Sequence, residues 1–306
     1  MMLGASILVR CDNYAVKTAI ETWLTGLSLD APAGLVLDVV ITDDALPEVT
    51  DFVFEQPHVR FARGAGGRGL IVVWMEAPAV AALLAADTTA SIRLSGEAAR
   101  QMDLCIRTFM MSVLIVLLRR VGWYHLHAAT AIDPQGRGWL IAGNAHAGKS
   151  TTAALLAANG WRVGADDAAW LARRDHRVVV HTPRAPIALR EDGHRLLARD
   201  GGVQLTDRGK VGYTPEDLGG VWTPLVDPEI VIFTAVGTSR TSAHPLDRRS
   251  ALAELVRWSA WVVLEPDLAQ AHLDVLTSLT RQTRTFRVTL GRDLFAHPNR
   301  LIELTT

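Results

Sequence analysis

The sequence is poor in cysteine, with Cys11 and Cys105 as its two members among 306 residues. The two positions lie far apart and fit no spacing used to bind a metal ion, which argues against a cysteine-based metal site. We expect both to be reduced, buried thiols of a cytosolic protein.

An excess of charge of either sign is also missing. Lys and Arg number 31 and Asp and Glu number 32, which gives a formal net charge of −1. No overall field attracts nucleic acid or an anionic membrane, and no basic stripe with interleaved aromatic residues is present. With 49% hydrophobic residues, this balance indicates a folded globular protein without a nucleic-acid partner.

Long apolar runs are absent as well. The start of the chain has no basic segment followed by an apolar run, so we expect no signal peptide. The most hydrophobic stretch, residues 104–118, contains Arg107 and falls short of the roughly 20 apolar residues that span a bilayer. We predict a buried helix here, no membrane partner and a cytoplasmic location.

The order of apolar and turn residues predicts two domains. Residues 1–121 combine short strands with helices and read as a smaller N-terminal α+β domain, whose last helix is predicted at 97–121. Residues 122–306 alternate strands with helices, which indicates an α/β core. We therefore predict an α/β protein with the domain boundary near Gly122.

Two local features of the first domain also carry predictions. Residues 14–24 have helical spacing, and either Asp12 or Asn13 is suited to cap the start of that helix. The glycine-rich residues 64–69 predict a flexible turn between two strands.

One segment of the second domain matches G-x-x-x-x-G-K-[ST] at every fixed position, after a predicted strand at 139–142 and before a predicted helix at 149–159. Glycines let backbone N–H groups turn toward phosphate oxygens. Lys149 can place its charge against the β- and γ-phosphates, and Ser150 can offer its hydroxyl to Mg²⁺. We predict that ATP and Mg²⁺ bind at Gly143, Asn144, Ala145, His146, Ala147, Gly148, Lys149, Ser150 and Thr151.

A pair of carboxylates, Asp166-Asp167, ends the strand predicted after this helix. Beside a bound triphosphate, one carboxylate can hold Mg²⁺ and the other can accept the proton of an attacking hydroxyl group. The sequence leaves open which does which. We name Asp166, Asp167 and Lys149 as catalytic candidates, and Ser150 with Asp167 as candidate metal ligands.

Three histidines lie near these segments. His125 and His127 fall on a strand predicted at 125–132 and would share one face, but no third ligand is spaced for a zinc site. We expect His125 to be a hydrogen-bonded structural histidine. His146, inside the loop, either contacts the nucleotide or faces solvent.

The stretch from His127 to Ala169 resembles the HPr kinase/phosphorylase family and its P-loop relatives, which include phosphoenolpyruvate carboxykinase. The resemblance comprises His127, the loop at 143–150, Gly160 after the helix, and Ala165 before the two aspartates. Weaker similarity continues to about residue 260. There the chain resembles HPr-kinase-related proteins that accompany lasso-peptide genes.

The resemblance implies an HPr-kinase-like P-loop domain that transfers phosphate from ATP with Mg²⁺ to a serine of a protein or a precursor peptide. It implies that His127 is catalytic and contacts the phosphates, and that Arg190 and Lys210 are candidate phosphate contacts. It also implies a homo-oligomer, and substrate recognition or assembly as the role of residues 1–121.

The chain departs from the family pattern at three places. Ala145-His146 stands where the family loop carries Ser-Gly, Thr151 replaces an acidic residue common in HPr kinases, and the phosphorylase signature segment has no counterpart. Two alternatives therefore stay open beside a serine kinase. One is a kinase of small molecules, and the other is a non-catalytic nucleotide-binding regulator.

Overall fold

The computed structural model describes residues 7–30, 32, 34–64, 69–83, 88–197, 202–205, 209–237 and 239–305. The N-terminal residues 1–6 and most of the glycine-rich turn predicted at 64–69 lie outside this part of the chain. The chain forms two compact units, Met1–Tyr124 with Trp261–His272, and His125–Ala260 with Leu273–Thr306. Trp261–His272 belongs to the first unit although it is distant from it in sequence. No change in composition along the sequence predicts this assignment.

The first unit is built on one seven-stranded sheet with strand order β1-β2-β7-β6-β5-β4-β3. Strands β1, β2 and β7 are parallel to one another, and the other pairs are antiparallel. The strands are β1 (Ile7–Arg10), β2 (Leu35–Ile41), β3 (Phe52–Glu55), β4 (Val59–Arg63), β5 (Leu70–Trp74), β6 (Ala79–Leu83) and β7 (Thr89–Leu94).

The helices of the first unit pack their apolar residues inward. Helix α1 (Tyr14–Leu27) starts at Asn13, whose side chain accepts a hydrogen bond from the backbone N–H of Val16 at 3.1 Å. The predicted helix at 97–121 is not continuous. It consists of α2 (Gly96–Arg100), α3 (Met102–Cys105), a π-helical turn (Ile106–Met110) and α4 (Met111–Arg119).

The apolar stretch predicted to be a buried helix is buried at residues 112–119 of α4, whereas Arg107 in its first half is exposed. Among the described residues, no helix is both long and apolar enough to cross a membrane. The two cysteines are free thiols, and Cys105 is buried, so burial raises its pKa to about 12. The prediction that both thiols are buried is wrong for Cys11, which is only half-buried.

The second unit contains a seven-stranded main sheet with order β17-β11-β9-β10-β19-β21-β20, a four-stranded sheet β18-β13-β12-β8 and a three-stranded sheet β14-β16-β15. The strands are β8 (Tyr124–Leu126), β9 (Ala128–Ile132), β10 (Gly138–Gly143), β11 (Arg162–Val163), β12 (Ala169–Arg174), β13 (Arg177–His181), β14 (Ile187–Leu189), β15 (Val203–Gln204), β16 (Val211–Tyr213), β17 (Val221–Trp222), β18 (Leu225–Val226), β19 (Pro228–Val236), β20 (Ser242–Pro245) and β21 (Arg284–Leu290).

The remaining helices flank these sheets, with short 3-10 turns at Glu216–Leu218 and Ala260–Val263. Helix α8 begins in the first unit and continues into the second. The helices are α5 (Lys149–Ala158), α6 (Glu191–Leu197), α7 (Arg248–Arg257), α8 (Pro266–Gln282), α9 (Asp293–Ala296) and α10 (Arg300–Thr305).

Strands β9 and β10 lie in the middle of the main sheet and are buried along their full length. Strand β10 is parallel to β19, and β19 to β21, while β9 is antiparallel to both β10 and β11. Strands β10, β11, β19 and β21 therefore run in the same direction. Their carboxyl ends meet at one edge of the sheet, which is where open α/β sheets bind ligands.

The strand predicted at 125–132 is broken at His127. Strand β8 before it belongs to the four-stranded sheet, whereas β9 after it belongs to the main sheet. At the break, the backbone N–H of His127 donates to the carbonyl of Trp258 at 3.0 Å instead of joining a sheet. The prediction that His125 and His127 share one face of a regular strand is therefore wrong.

Candidate functional site

The predicted phosphate loop connects the end of β10 to the start of α5. Gly148 adopts a left-handed conformation with φ of 86°, and an added Cβ would lie 2.8 Å from Leu290 Cδ1. Only glycine fits both the backbone and the space at this position. Helix α5 follows at once, so its N-terminal backbone N–H groups point into the loop.

The ammonium group of Lys149 lies over this loop. Its Nζ donates to the carbonyl oxygen of Gly143 at 2.9 Å and to that of Asn144 at 3.1 Å. Burial lowers the pKa of Lys149, while the carboxylates of Asp167 and Asp166 raise it. Because these two carboxylates lie close enough to act on it, Lys149 belongs to one electrostatic cluster with them.

The tip of the loop faces solvent. Asn144, Ala145 and His146 are exposed, whereas Ala147 is buried. His146 takes a left-handed backbone conformation with φ of 66°, which is uncommon for a residue with a side chain. His146 thus has a backbone conformation that glycine adopts without steric cost.

Asp166 is the buried member of the carboxylate pair. It follows β11 closely and is 3% exposed. Its carboxylate accepts a hydrogen bond from the side chain of Ser150, and its Oδ2 accepts one from the backbone N–H of Ala188 at 3.1 Å. Burial, followed by the charge of Asp167, raises the pKa of Asp166 to about 7.

Asp167 is exposed, whereas its neighbour Asp166 is buried, so the two carboxylates lie in opposite environments. The ring of His127 hydrogen-bonds to the backbone of Asp167. Burial and then the charge of Lys149 lower the pKa of His127, which favours a neutral imidazole. In this geometry His127 holds the backbone on which Asp167 is carried.

Of the remaining predicted residues, Lys210 and Thr151 lie at the site and Arg190 does not. Lys210 is half-buried and acts electrostatically on His127, Lys149 and Asp166, so it lies in the cluster. Thr151 is half-buried on the first turn of α5. Arg190 is exposed just before α6 and is not among the charges that act on these three groups.

Two contributions to the site escaped the sequence analysis, and both are backbone groups. The N–H of Ala188 binds Asp166, and the carbonyl of Trp258 anchors His127. A backbone donor or acceptor is present in nearly every residue, so no sequence pattern distinguishes these two.

The oxygen atoms of the cluster suit Mg²⁺. A hydroxyl and two carboxylates are hard donors of the kind that Mg²⁺ prefers, and Mg²⁺ commonly takes its other ligands from water and substrate phosphates. Within the described residues, no group of three or more His, Cys, Asp or Glu side chains could hold a metal ion by itself. The residues therefore fit a magnesium ion that is shared with a polyphosphate.

No protein-family model and no curated protein matches the sequence. Solved structures do match, among them the HPr(Ser) kinase/phosphatase from Coxiella burnetii, with a TM-score of 0.32 and 13% sequence identity. The match covers 58% of this chain and 93% of that chain.

Proposed function

We propose that the protein is an ATP- and Mg²⁺-dependent phosphotransferase of the HPr-kinase-like class. One observation carries the proposal. Lys149, Ser150 and Asp166, which come from the loop helix and from the end of β11, interact at the carboxyl edge of the main sheet. A phosphate loop joined to a hydroxyl and a carboxylate is the arrangement that phosphoryl transfer from a metal-bound nucleotide uses.

The two aspartates take different roles in this proposal. The hydrogen bond between Ser150 and Asp166 supports the pair as the oxygen donors on the metal side of the site. The exposure of Asp167 supports its contact with the incoming acceptor. The sequence named Ser150 with Asp167 as candidate metal ligands but left the role of each aspartate open, and the burial of Asp166 supports that residue as the metal ligand.

In the transfer step, the acceptor oxygen attacks the γ-phosphorus while its proton passes to the carboxylate of Asp167. A bond forms between that oxygen and phosphorus, the bond from phosphorus to the bridging oxygen breaks, and ADP leaves. Lys149 exchanges its carbonyl partners Gly143 and Asn144 for the β- and γ-phosphates and offsets their charge. Bound Mg²⁺ supplies further neutralisation of the phosphate charge.

The acceptor in this proposal is the hydroxyl of a serine in a protein or peptide. An exposed base can be reached by a hydroxyl on a large partner, which is consistent with the position of Asp167 at the surface. The family resemblance of residues 127–169 supports the same acceptor class. Residues 1–121 are proposed to recognise that acceptor.

Labelled ATP and a panel of serine-containing peptides and small hydroxyl compounds test the proposal. We expect label to enter peptides in the presence of Mg²⁺, and Asp167→Asn to abolish transfer while ATP still binds. Asp175→Asn, an exposed aspartate in the turn between β12 and β13, is the matched control and should behave as wild type. Transfer that survives in Asp167→Asn would disprove the role of the base, and ATP binding without transfer to any acceptor would favour a regulator.

A further inference from the structure

A cavity opens in the first unit at the carboxyl ends of β2 and β7. Its volume is about 370 Å³, and all of its lining residues belong to the first unit. Strands β2 and β7 are parallel neighbours, so both run toward this edge of their sheet. Ligands commonly bind at the carboxyl ends of parallel strands, and the volume lies within the range of small-molecule sites.

Hydrogen bonds between neighbouring segments hold the walls of this cavity together. Just after β2, the backbone N–H of Thr42 donates to the carbonyl of Leu94 at 2.9 Å. Just after β7, the backbone N–H of Ser95 donates to the carbonyl of Pro78 at 2.9 Å. The hydroxyl of Ser95 also accepts from the backbone N–H of Ala98 at 3.1 Å, which fixes the start of α2. A preformed cavity of this kind binds a ligand at a small cost in conformational entropy.

Charged groups of both signs line the cavity. Asp43, Asp44 and Glu97 supply carboxylates, and Arg100 supplies a guanidinium group. All four side chains are exposed, and none of them forms a salt bridge within the part of the chain that the structure describes. The cavity therefore presents three negative charges and one positive charge to a ligand.

Gly96 leaves a gap between two opposite charges. A Cβ built on Gly96 would lie 3.6 Å from Asp43 Oδ1 and 3.6 Å from Arg100 Nη1. Both charged atoms therefore border the same small space, which residue 96 leaves open because it has no side chain. A ligand with an ammonium group and a carboxylate on one carbon atom matches this gap, since its ammonium group can face Asp43 while its carboxylate faces Arg100.

We propose that this cavity binds a free α-amino acid, with Asp43 at the ammonium group and Arg100 at the carboxylate. Ala45, Leu46 and Pro78 also line the cavity and provide apolar contacts for a compact side chain. The excess of carboxylates disfavours anionic ligands such as phosphates, whereas an amino acid carries no net charge. Because this binding uses no residue of the phosphate loop, it stands whether or not the protein transfers phosphate.

Titration calorimetry of the full chain with L-leucine and two of its analogues tests this site. The analogue 4-methylpentanoate lacks the ammonium group, and 3-methylbutylamine lacks the carboxylate, while both keep the apolar side chain. We expect each analogue to bind at least about tenfold more weakly than leucine, because each loses a hydrogen-bonded contact to a charged group. Equal binding of leucine and 3-methylbutylamine would show a site for cations only, and no binding of leucine would leave no amino-acid site; either result would overturn the proposal.

Two substitutions assign the binding to this cavity. Arg100→Gln should weaken leucine by about tenfold, while 3-methylbutylamine binds as well as before or better, since a repelling charge is removed. Gly96→Ala should also weaken leucine by at least about tenfold, because its methyl group would lie between Asp43 and Arg100. This variant should keep the Tm of wild type or raise it, since alanine favours a helix more than glycine does.

Arg93→Gln is the matched control, because Arg93 is an exposed arginine on β7 that does not line the cavity. It should bind leucine as wild type does. Wild-type affinity for leucine in Gly96→Ala would overturn the site, as would an equal loss of leucine and 3-methylbutylamine in Arg100→Gln or a loss of leucine in Arg93→Gln as large as that in Arg100→Gln.

Discussion

At the scale of single residues, the contrast between Asp166 and Asp167 decides how the site behaves. The two are adjacent in sequence, yet one is buried against Ser150 and Ala188 while the other is exposed. The pKa of Asp166 is raised from 3.8 to about 7 because its charged form loses hydration. The folded protein therefore holds this proton more tightly than the unfolded chain does.

This difference predicts how stability depends on pH. Between about pH 4 and pH 7 the folded state binds the extra proton, so the free energy of unfolding falls as pH rises through that window. Asp166→Asn removes the proton exchange and keeps an acceptor for Ala188. We expect the variant to melt higher than wild type at pH 8 and near wild type at pH 4, measured by thermal unfolding without nucleotide. Asp175→Asn should show no such trend, and a parallel trend in both variants would contradict the assignment.

His127 gives a second prediction at this scale. Its ring hydrogen-bonds to the backbone of Asp167, so its loss should shift the proposed base without removing a phosphate ligand. We expect His127→Ala to lower kcat by up to about a hundredfold with little change in the affinity for Mg·ATP. His127→Gln, which keeps a hydrogen-bonding side chain, should recover part of the rate. A matching loss of affinity would point instead to direct phosphate contact, as the family resemblance implies.

At the scale of elements, the sequence offered two candidates, Asp12 and Asn13, for the residue that caps the start of α1. Asn13 caps the helix through its bond to Val16, and Asp12 does not. We expect Asn13→Ala to cost about 1 kcal/mol of stability in the first unit, and Asp12→Ala to cost less than half of that. Hydrogen exchange of the α1 amides measures both, and equal effects of the two changes would contradict this assignment.

Much of the second unit was predictable because its elements are long and strongly periodic. The strand predicted at 139–142 is confirmed as β10, and the helix predicted at 149–159 is confirmed as α5. Motif and context together predicted a loop at 143–150 between a strand and a helix, and the structure has β10 before these residues and α5 from Lys149 onward.

Interruptions within elements were not predictable, because they depend on partners far away in sequence. The sheet change at His127 is fixed by pairing with two different sheets and by the carbonyl of Trp258. The π-helical turn at Ile106–Met110 lies within a largely apolar stretch, where side-chain periodicity cannot register one extra residue. Apolar periodicity likewise gave no sign that Asp166 and Asp167 would differ in burial.

At the scale of the whole molecule, a buried ion cluster ties a late segment of the chain to the first unit. Glu265 lies between Arg119 and Arg120, with the Arg119 Nη1 to Glu265 Oε2 distance at 3.5 Å, and Arg119 is fully buried. Burial lowers the pKa of Arg119, and Glu265 is the main group that opposes this shift. Glu265 therefore offsets the charge of two guanidinium groups, of which that of Arg120 also donates to the carbonyl of Leu83.

Removing that carboxylate should be costly. We expect Glu265→Gln to lower the free energy of unfolding by about 3–5 kcal/mol, because it leaves buried positive charge uncompensated. Asp267→Asn, exposed two residues later, is the control and should stay within about 0.5 kcal/mol of wild type. Urea unfolding followed by fluorescence measures both, and equal stability of the two variants would contradict the role of the cluster.

Nucleotide binding should also stabilise the molecule as a whole. At a ligand concentration of about 100 times Kd, Mg·ATP should add about 2.7 kcal/mol to the free energy of unfolding, which appears as a higher Tm. Lys149→Ala should remove most of this shift, whereas Lys17→Ala, a lysine on α1 of the first unit, should keep it. An unchanged shift in Lys149→Ala would contradict the phosphate loop as the binding site.

The proton held by Asp166 has a consequence for measured heats. Arrival of a divalent cation and polyphosphate beside Ser150 favours the ionised carboxylate, so uptake of nucleotide near neutrality releases hydrogen ions to the medium. The buffer takes up these protons, and its heat of ionisation adds to the calorimetric signal. The measured enthalpy of nucleotide binding should therefore differ between Tris and phosphate at the same pH. Acidification below about pH 7 should weaken binding of Mg²⁺, because it protonates Asp166, the carboxyl group proposed to hold that ion.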